Sequence, residues 1–336
     1  MKIIVDVMSG DNAPKEILTG AISARHEYGC EVVLVGDSDI MRLIASQNGY
    51  PLDSNGVYVE HTTGVIKMED PPMSIRTKKD SSMVKALNLL ADGTGDAVVS
   101  AGNTGALYTG ASILVSRIKG FRKAAIATIL PLASPVLLID SGANIAVTDE
   151  NLEQFAIMGS AYMEKVMNVH APRIGLLNNG VERTKGSQLL QDTYSRLEEN
   201  RSINFIGNVE SRALPYGVCD VIVTDGFSGN LILKYTESIC SFVMDRMNEI
   251  YSKNLLAKAS SLVLKGELES LRKRFCPSEY GGAPLLGISK PVIKAHGSSD
   301  AFAIKNAIHQ AIKYAKSGMI EHLSGISTDC SESEYE

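Results

Sequence analysis

Val98-Val99-Ser100-Ala101-Gly102-Asn103-Thr104-Gly105-Ala106 is an apolar run that stops in a Gly-Asn-Thr-Gly turn and restarts with helix-like residues. It reads as a strand, a tight turn and the N-terminus of a helix. Gly102 and Gly105 carry no Cβ, so the backbone can approach a ligand closely. The first N–H groups of the helix and its dipole favour a negative charge there. Two readings stay open: an anion site, or an ordinary strand-to-helix loop capped by Asn103 or Thr104. The design recurs. Residues 136–140 run into Ser141-Gly142-Ala143-Asn144, residues 221–225 into Gly226-Phe227-Ser228-Gly229-Asn230, and residues 291–295 into His296-Gly297-Ser298-Ser299-Asp300. In an open parallel sheet ligands sit beyond the carboxyl ends of the strands, so such turns are expected to face one crevice suited to a small oxyanion.

The chain around these turns alternates strand and helix. Residues 3–7 form a strand, and Met8-Ser9-Gly10-Asp11-Asn12-Ala13-Pro14 a turn before a helix over 15–28; a strand at 31–35 and a helix to about 48 follow. This alternation predicts a three-layer α/β/α unit with a mostly parallel sheet. The segment 64–80, with Pro71 and Pro72, reads as a surface loop. Its Arg76 and Lys79 lie beside a helix start at Asp80-Ser81-Ser82, and either supplement an anion site or are a charged loop. A helix starting within residues 181–187 would place Lys185 at its beginning, against the dipole's preference for acid, which singles that lysine out. Residues 279–287 read as a glycine-rich loop. From 231 to 275 the pattern is helical with a break near 252–254, predicting a protruding helical hairpin. Its tip, Leu255-Leu256-Ala257 and Leu262-Val263-Leu264 among lysines, suits a membrane surface or a partner subunit, or else packs on its own domain. The expected organisation is one catalytic unit over 1–327, either undivided or of two interleaved lobes, and a disordered acidic tail over 328–336.

Composition narrows the function. A formal net charge of -5 argues against a general nucleic-acid binder, although basic clusters at 117–123 and at Lys265 with Arg272-Lys273-Arg274 could dock an acidic partner. Five cysteines without a C-x-x-C pair, and an N-terminus that enters a strand directly, lead to the expectation of a cytoplasmic protein. The chain has no G-x-G-x-x-G, no G-x-x-x-x-G-K-[ST] and no G-x-S-x-G. A reaction in which a bound anion is itself the nucleophile needs only positioning, charge neutralisation and an oxyanion hole.

Seven ordered motifs carry a resemblance. They are residues 6–14, 100–106, Asp140-Ser141-Gly142-Ala143-Asn144, Gly207-Asn208-Val209-Glu210, residues 224–230, residues 281–287 and His296-Gly297-Ser298. They resemble the motifs of the bacterial acyl-acyl carrier protein:phosphate acyltransferases, the PlsX family. Ser9 stands where the family usually has a second glycine, and Ala146 where an acidic residue commonly follows the Gly-Ala-Asn motif. The resemblance implies transfer of a fatty acyl group from acyl carrier protein to inorganic phosphate, giving acyl phosphate for phospholipid synthesis, without cofactor or metal. It implies an isocitrate/isopropylmalate dehydrogenase-like fold and a homodimer in the cytoplasm that touches the membrane periphery through the hairpin.

On this basis Lys185, Asn103 and His296 are the candidate catalytic residues. Gly102, Thr104, Asn144, Asp225, Asn230, Arg76 and Lys79 are the candidate substrate contacts. A thiolate leaves readily, since a free thiol has a pKa of about 8.5, so no strong general acid is required. The rivals are a phosphate acyltransferase using short-chain acyl-coenzyme A, a metal- and nicotinamide-dependent dehydrogenase, for which no clustered carboxylates are evident, and a non-catalytic lipid-binding protein.

Overall fold

Short apolar runs separated by amphipathic helices assemble, among the described residues, into one eleven-stranded sheet. The computed structural model describes residues 1–50, 52–130, 132, 134–253, 266–267, 279 and 281–332. The strands are β1 (Lys2–Asp6), β2 (Glu31–Gly36), β3 (Val57–His61), β4 (Ala97–Ser100), β5 (Ala125–Leu130) and β6 (Val136–Ile139). They continue with β7 (Arg173–Leu177), β8 (Asn204–Val209), β9 (Val221–Val223), β10 (Gly282–Leu286) and β11 (Val292–Ala295), and their order is β3-β2-β1-β4-β11-β10-β5-β6-β9-β7-β8. Neighbours are parallel except at β11-β10, β10-β5 and β5-β6. The mostly parallel α/β architecture is therefore as expected, with two differences. Residues 282–286 are a strand and not a loop, and β6, β9, β7 and β8 run opposite to β1, β4 and β11.

Helices cover both faces. On one lie α1 (Lys15–Tyr28), α2 (Ser38–Asn48), α6 (Asp149–Lys165), α7 (Gln188–Glu199), α9 (Ala301–Lys316) and α10 (Met319–Glu332), packed with Ile3 and Val5 of β1. On the other lie α4 (Ser82–Ala91) and α5 (Thr104–Gly110) with Ile4, and α8 (Gly226–Ser252) beside β6. The period-2 alternation of each strand thus feeds two cores. The loop at 64–80 contains one short helix, α3 (Ser74–Thr77). α5 passes into a π-helical turn, Ala111–Val115.

Two expectations change, and a third falls largely outside the described residues. The helix after β7 begins at Gln188, so Lys185 sits in the preceding turn and not at a helix start. α10 continues to Glu332, so the tail from 328 is helical that far; helix propagation adds a bond per residue once a turn is anchored, here by buried Met319 and Leu323. α8 supplies the first arm of the expected hairpin, whereas its tip at 255–257 and 262–264, most of its second arm and Arg272-Lys273-Arg274 lie outside the described residues.

The polar turns satisfy their own backbone. Asp140 Oδ1 accepts the N–H groups of Ile126, Gly142 and Ala143 at 3.2, 3.1 and 2.9 Å, and Oδ2 accepts the backbone and side-chain N–H of Asn144 at 2.6 and 2.8 Å. Asp225 caps α8 through Phe227 and Ser228, and Asp300 caps α9 through Ala303. Asn103 caps α5 by accepting from Ala106 at 2.9 Å, while its amide donates to the carbonyls of Met68 and Asp70 at 2.8 and 2.9 Å. Gly229 is required for close approach, because a Cβ there would stand 1.9 Å from the Asp140 carbonyl oxygen.

Asn103→Ala removes a helix cap and the ties to the 67–70 segment, so it is expected to lower stability by about 2–3 kcal/mol in urea unfolding. Asn103→Asp keeps the acceptor and should lose less. An alanine variant as stable as wild type would mean that Asn103 is not the structural anchor its bonds describe.

Candidate functional site

β10 and β5 are paired at only two positions, Leu285 with Ile126 and Leu286 with Ala125. Beyond them the strands part, and a cavity of about 330 Å³ opens between the banks Thr128–Ile129 and Gly281–Ala283. The end of β11 contributes Lys294, Ala295 and His296, α5 contributes Thr104, and the turn after β6 contributes Ser141 and Gly142. α8 lays Asn230, Leu233, Lys234 and Glu237 across the opening, at the i, i+3, i+4, i+7 spacing that puts residues on one helical face. Members of all four polar turn regions therefore meet at one cavity, although the strands leading to them run in two directions.

The cavity is chemically divided. Ile126, Ile129, Leu233 and Ala283 make an apolar wall, and Lys294, Lys234, His296, Thr104, Thr128, Ser141 and Asn230 supply positive charge and hydrogen bonding. Lys294 is the unusual member: it lies in a wholly buried strand and is 8% exposed. Its Nζ donates to the carbonyls of Ala101, at 3.3 Å, and Ala295. Among the described residues no carboxylate forms an ion pair with it. Burial pushes its pKa down to about 8, with Asp11 and Asp6 opposing the shift and Lys234 adding to it.

His296 Nδ1 accepts the Ser298 backbone N–H at 3.2 Å and lies 2.8 Å from the Ser298 hydroxyl, an arrangement that assigns the ring proton to Nε2. Burial, then the charge of Lys234, holds its pKa below the usual histidine value, so the neutral ring is the form present at pH 7. Thr128 and Ser141 form a hydroxyl pair at 2.8 Å, Ser141 donating onward to the Ile126 carbonyl at 3.2 Å.

Of the residues expected from sequence, Thr104, Asn230 and His296 line the cavity. Asn103 and Asp225 are consumed as caps. Asn144 is enclosed by the Ala124 carbonyl, Asp140 and the Tyr108 hydroxyl. Gly102 packs where a Cβ would stand 2.5 Å from Met83 Cε. Lys185, Arg76 and Lys79 are exposed and outside the cavity lining. The amides of Ala106, Gly142, Ala143, Asn144, Phe227 and Ser228 are taken by the protein's own side-chain oxygens, and the cavity's cations come from Lys294 and Lys234, neither of them among the residues expected from sequence. A signal existed for the first: a lone lysine inside Pro291-Val292-Ile293-Lys294-Ala295 occupies a position that the strand pattern buries.

The profile of a family described as "Fatty acid synthesis protein" matches residues 1–322. A phosphate acyltransferase of Clostridioides difficile is 43% identical over 327 residues, covering 96% of this chain and 95% of that protein. A phosphotransacetylase of Streptococcus pyogenes superposes with a TM-score of 0.63 at 15% identity, over 94% of each chain. A 4-hydroxythreonine-4-phosphate dehydrogenase of Klebsiella pneumoniae gives 0.55 at 13% identity, over 94% of this chain and 99% of that one. At such identities the likeness to the solved structures is one of fold, whereas sequence identity over nearly the whole length establishes kinship. The chain belongs to the PlsX family of phosphate acyltransferases.

Proposed function

We propose that this enzyme moves a fatty acyl group from acyl carrier protein to inorganic phosphate, without a cofactor, in the cavity between β5, β10 and α8. The observation that carries the reading is a buried lysine whose partners among the described residues are carbonyls, at the polar end of a cleft whose other wall is apolar. Such an ammonium is stabilised by an incoming dianion. A phosphate oxygen attacks the thioester carbonyl carbon, the C–S bond breaks, and the proton of hydrogen phosphate ends on the departing sulfur, giving acyl phosphate and free carrier thiol.

In this mechanism Lys294 and Lys234 neutralise the phosphate, and the hydroxyl of Thr104 orients it. His296 Nε2–H and the Asn230 amide supply donors for the oxygen that becomes negative in the tetrahedral intermediate. Asn103, Asn144 and Asp225 act as positioning residues. Lys185, Arg76 and Lys79 serve the acidic carrier protein from outside the cleft, so their substitution should raise KM in a salt-dependent manner and leave kcat within about threefold.

Association with a second copy is part of the proposal. α8 exposes Leu231, Tyr235, Ile239, Phe242 and Val243 at helical spacing, Tyr235 being 69% and Phe242 57% exposed, an apolar stripe suited to covering by a like helix. No described helix is long and apolar enough to cross a membrane. Membrane contact of a cytoplasmic enzyme is therefore proposed as peripheral, through the segment that follows α8.

The reading is tested by phosphate-dependent release of carrier thiol from hexadecanoyl carrier protein, against hexadecanoyl- and acetyl-coenzyme A. Preference for the carrier thioester is expected, whereas ligand uptake without turnover would favour a lipid-binding protein. Lys294→Met should lower kcat/KM for phosphate at least a hundredfold, because an apolar isostere leaves the dianion unpaired. The same change should raise stability at pH 7 by about 1–3 kcal/mol, by removing a buried charge. A variant within a few-fold of wild-type rate would remove Lys294 from the mechanism.

The pH dependence follows from the same group. The folded pKa of about 8 lies below the ordinary lysine value of 10.5, so between those values the unfolded chain binds more protons and stability rises with pH. The destabilisation from Lys294 is present in full below about pH 8 and fades toward 10.5. The stability gap between Lys294→Met and wild type should accordingly narrow across that window, and wild-type KM for phosphate should climb above about pH 8 as the ammonium is lost.

A further inference from the structure

We propose that the acyl chain passes through the sheet, leaving the cleft between β5 and β10 and ending in a second cavity on the opposite face, with Ile129 at the crossing. The inference rests on the acyl-transfer reading and adds where the hydrocarbon goes. The second cavity, of about 140 Å³, lies at the C-terminal end of α6 and against α9; its lining combines Ile129, Tyr162, Val166 and Met167 with the polar Glu279, Asn306, His309, Gln310 and Lys313. It sits on the α6/α9 side, whereas the catalytic cleft is closed by α8 on the other side. Ile129 lines both.

Strand alternation explains how one side chain serves two faces. Ala125, Ala127 and Ile129 pack with the α6/α9 layer, and Ile126 and Leu130 with the other. In a closed sheet, backbone would screen Ile129 from the α8 side. Here the β5–β10 ladder has ended by Ile126, so nothing of β10 pairs with β5 at residue 129.

Beside the gap, a side chain of α9 links β10 to α6. Gln310 Oε1 accepts the Gly282 N–H at 3.2 Å, and its Nε2 donates to the Tyr162 hydroxyl at 3.0 Å. Gly282 lines the cleft and Tyr162 the second cavity, so this bridge joins the two compartments. A rotamer change can move it, which a backbone ladder does not allow. Ile129, Val166 and Met167 give the second cavity an apolar strip for methylenes that continues the apolar wall of the cleft, while its polar members Glu279, Asn306 and Lys313 lie among the same lining.

The test compares hexadecanoyl with hexanoyl carrier protein in phosphate-dependent thiol release. Met167→Trp, which fills the far cavity away from the reacting atoms, should lower kcat/KM for the sixteen-carbon substrate at least tenfold and leave the six-carbon substrate within twofold. Equal loss on both, or on neither, overturns the route. Wild-type inactivity on both substrates would instead sink the transferase reading. The route is read independently, without turnover, from hexadecanoyl carrier protein bearing a terminal diazirine: photolysis with the wild-type enzyme should label residues 162–167. Label confined to α8 would place the chain along the outer face and end the proposal.

Discussion

The two-residue ladder between β5 and β10 is the constraint on which the rest depends. The sense of β6, β9, β7 and β8 is reversed by the antiparallel β5–β6 pair, and the two groups of strands are joined into one sheet by β10, antiparallel to both of its neighbours. Its sequence, Gly-Ala-Pro-Leu-Leu, suits that task poorly along its first half: glycine lacks a packing side chain and Pro284 brings no N–H. Pairing with β5 therefore holds only at the leucines. The opening left at the glycine end lies where the end of β11 presents a lysine and a histidine.

Charge placement follows from that opening. Lys294 could not be carried in a sheet closed on both sides without a counter-ion, because the desolvation of an unpaired ammonium far exceeds the worth of two carbonyl bonds. Beside a cleft that admits an anion, the same lysine is held ready for it. The neighbouring turns contribute rigidity more than charge, since Asp140, Asp225 and Asp300 fill their own amides.

Much of this was legible in the sequence. Strands such as 98–100 and 221–223 announce themselves as buried apolar runs, and the polar turns mark the helix starts near Thr104 and Ala301, whereas 226–230, read as a turn before a helix from 231, is the first turn of α8. Seven motifs in order pointed to the family. Strand direction was not legible, because the antiparallel insertion of β10 is decided by long-range pairing and hidden behind glycines that read as loop, and the reversal itself falls at the β5–β6 pair. Nor was the destination of the turn amides: Asn103 and Asn144 look the same whether they bond a ligand or their own backbone, and only distances separate the two. Lys294 was overlooked because one polar residue in an apolar strand is diluted by the run around it. Lys185 drew notice through an assumed helix start that lies three residues further on, at Gln188.

The self-filled turns have a consequence for how substrate meets this protein. A loop whose amides await an external anion is poorly ordered until that anion arrives, and its ordering entropy is then subtracted from affinity. Here five N–H groups already converge on the Asp140 carboxylate. The walls of the cleft thus stand in place beforehand, and under the proposed reading phosphate enters a finished socket. Such a socket can bind weakly, exchange quickly and still hold the nucleophile in line when the thioester comes.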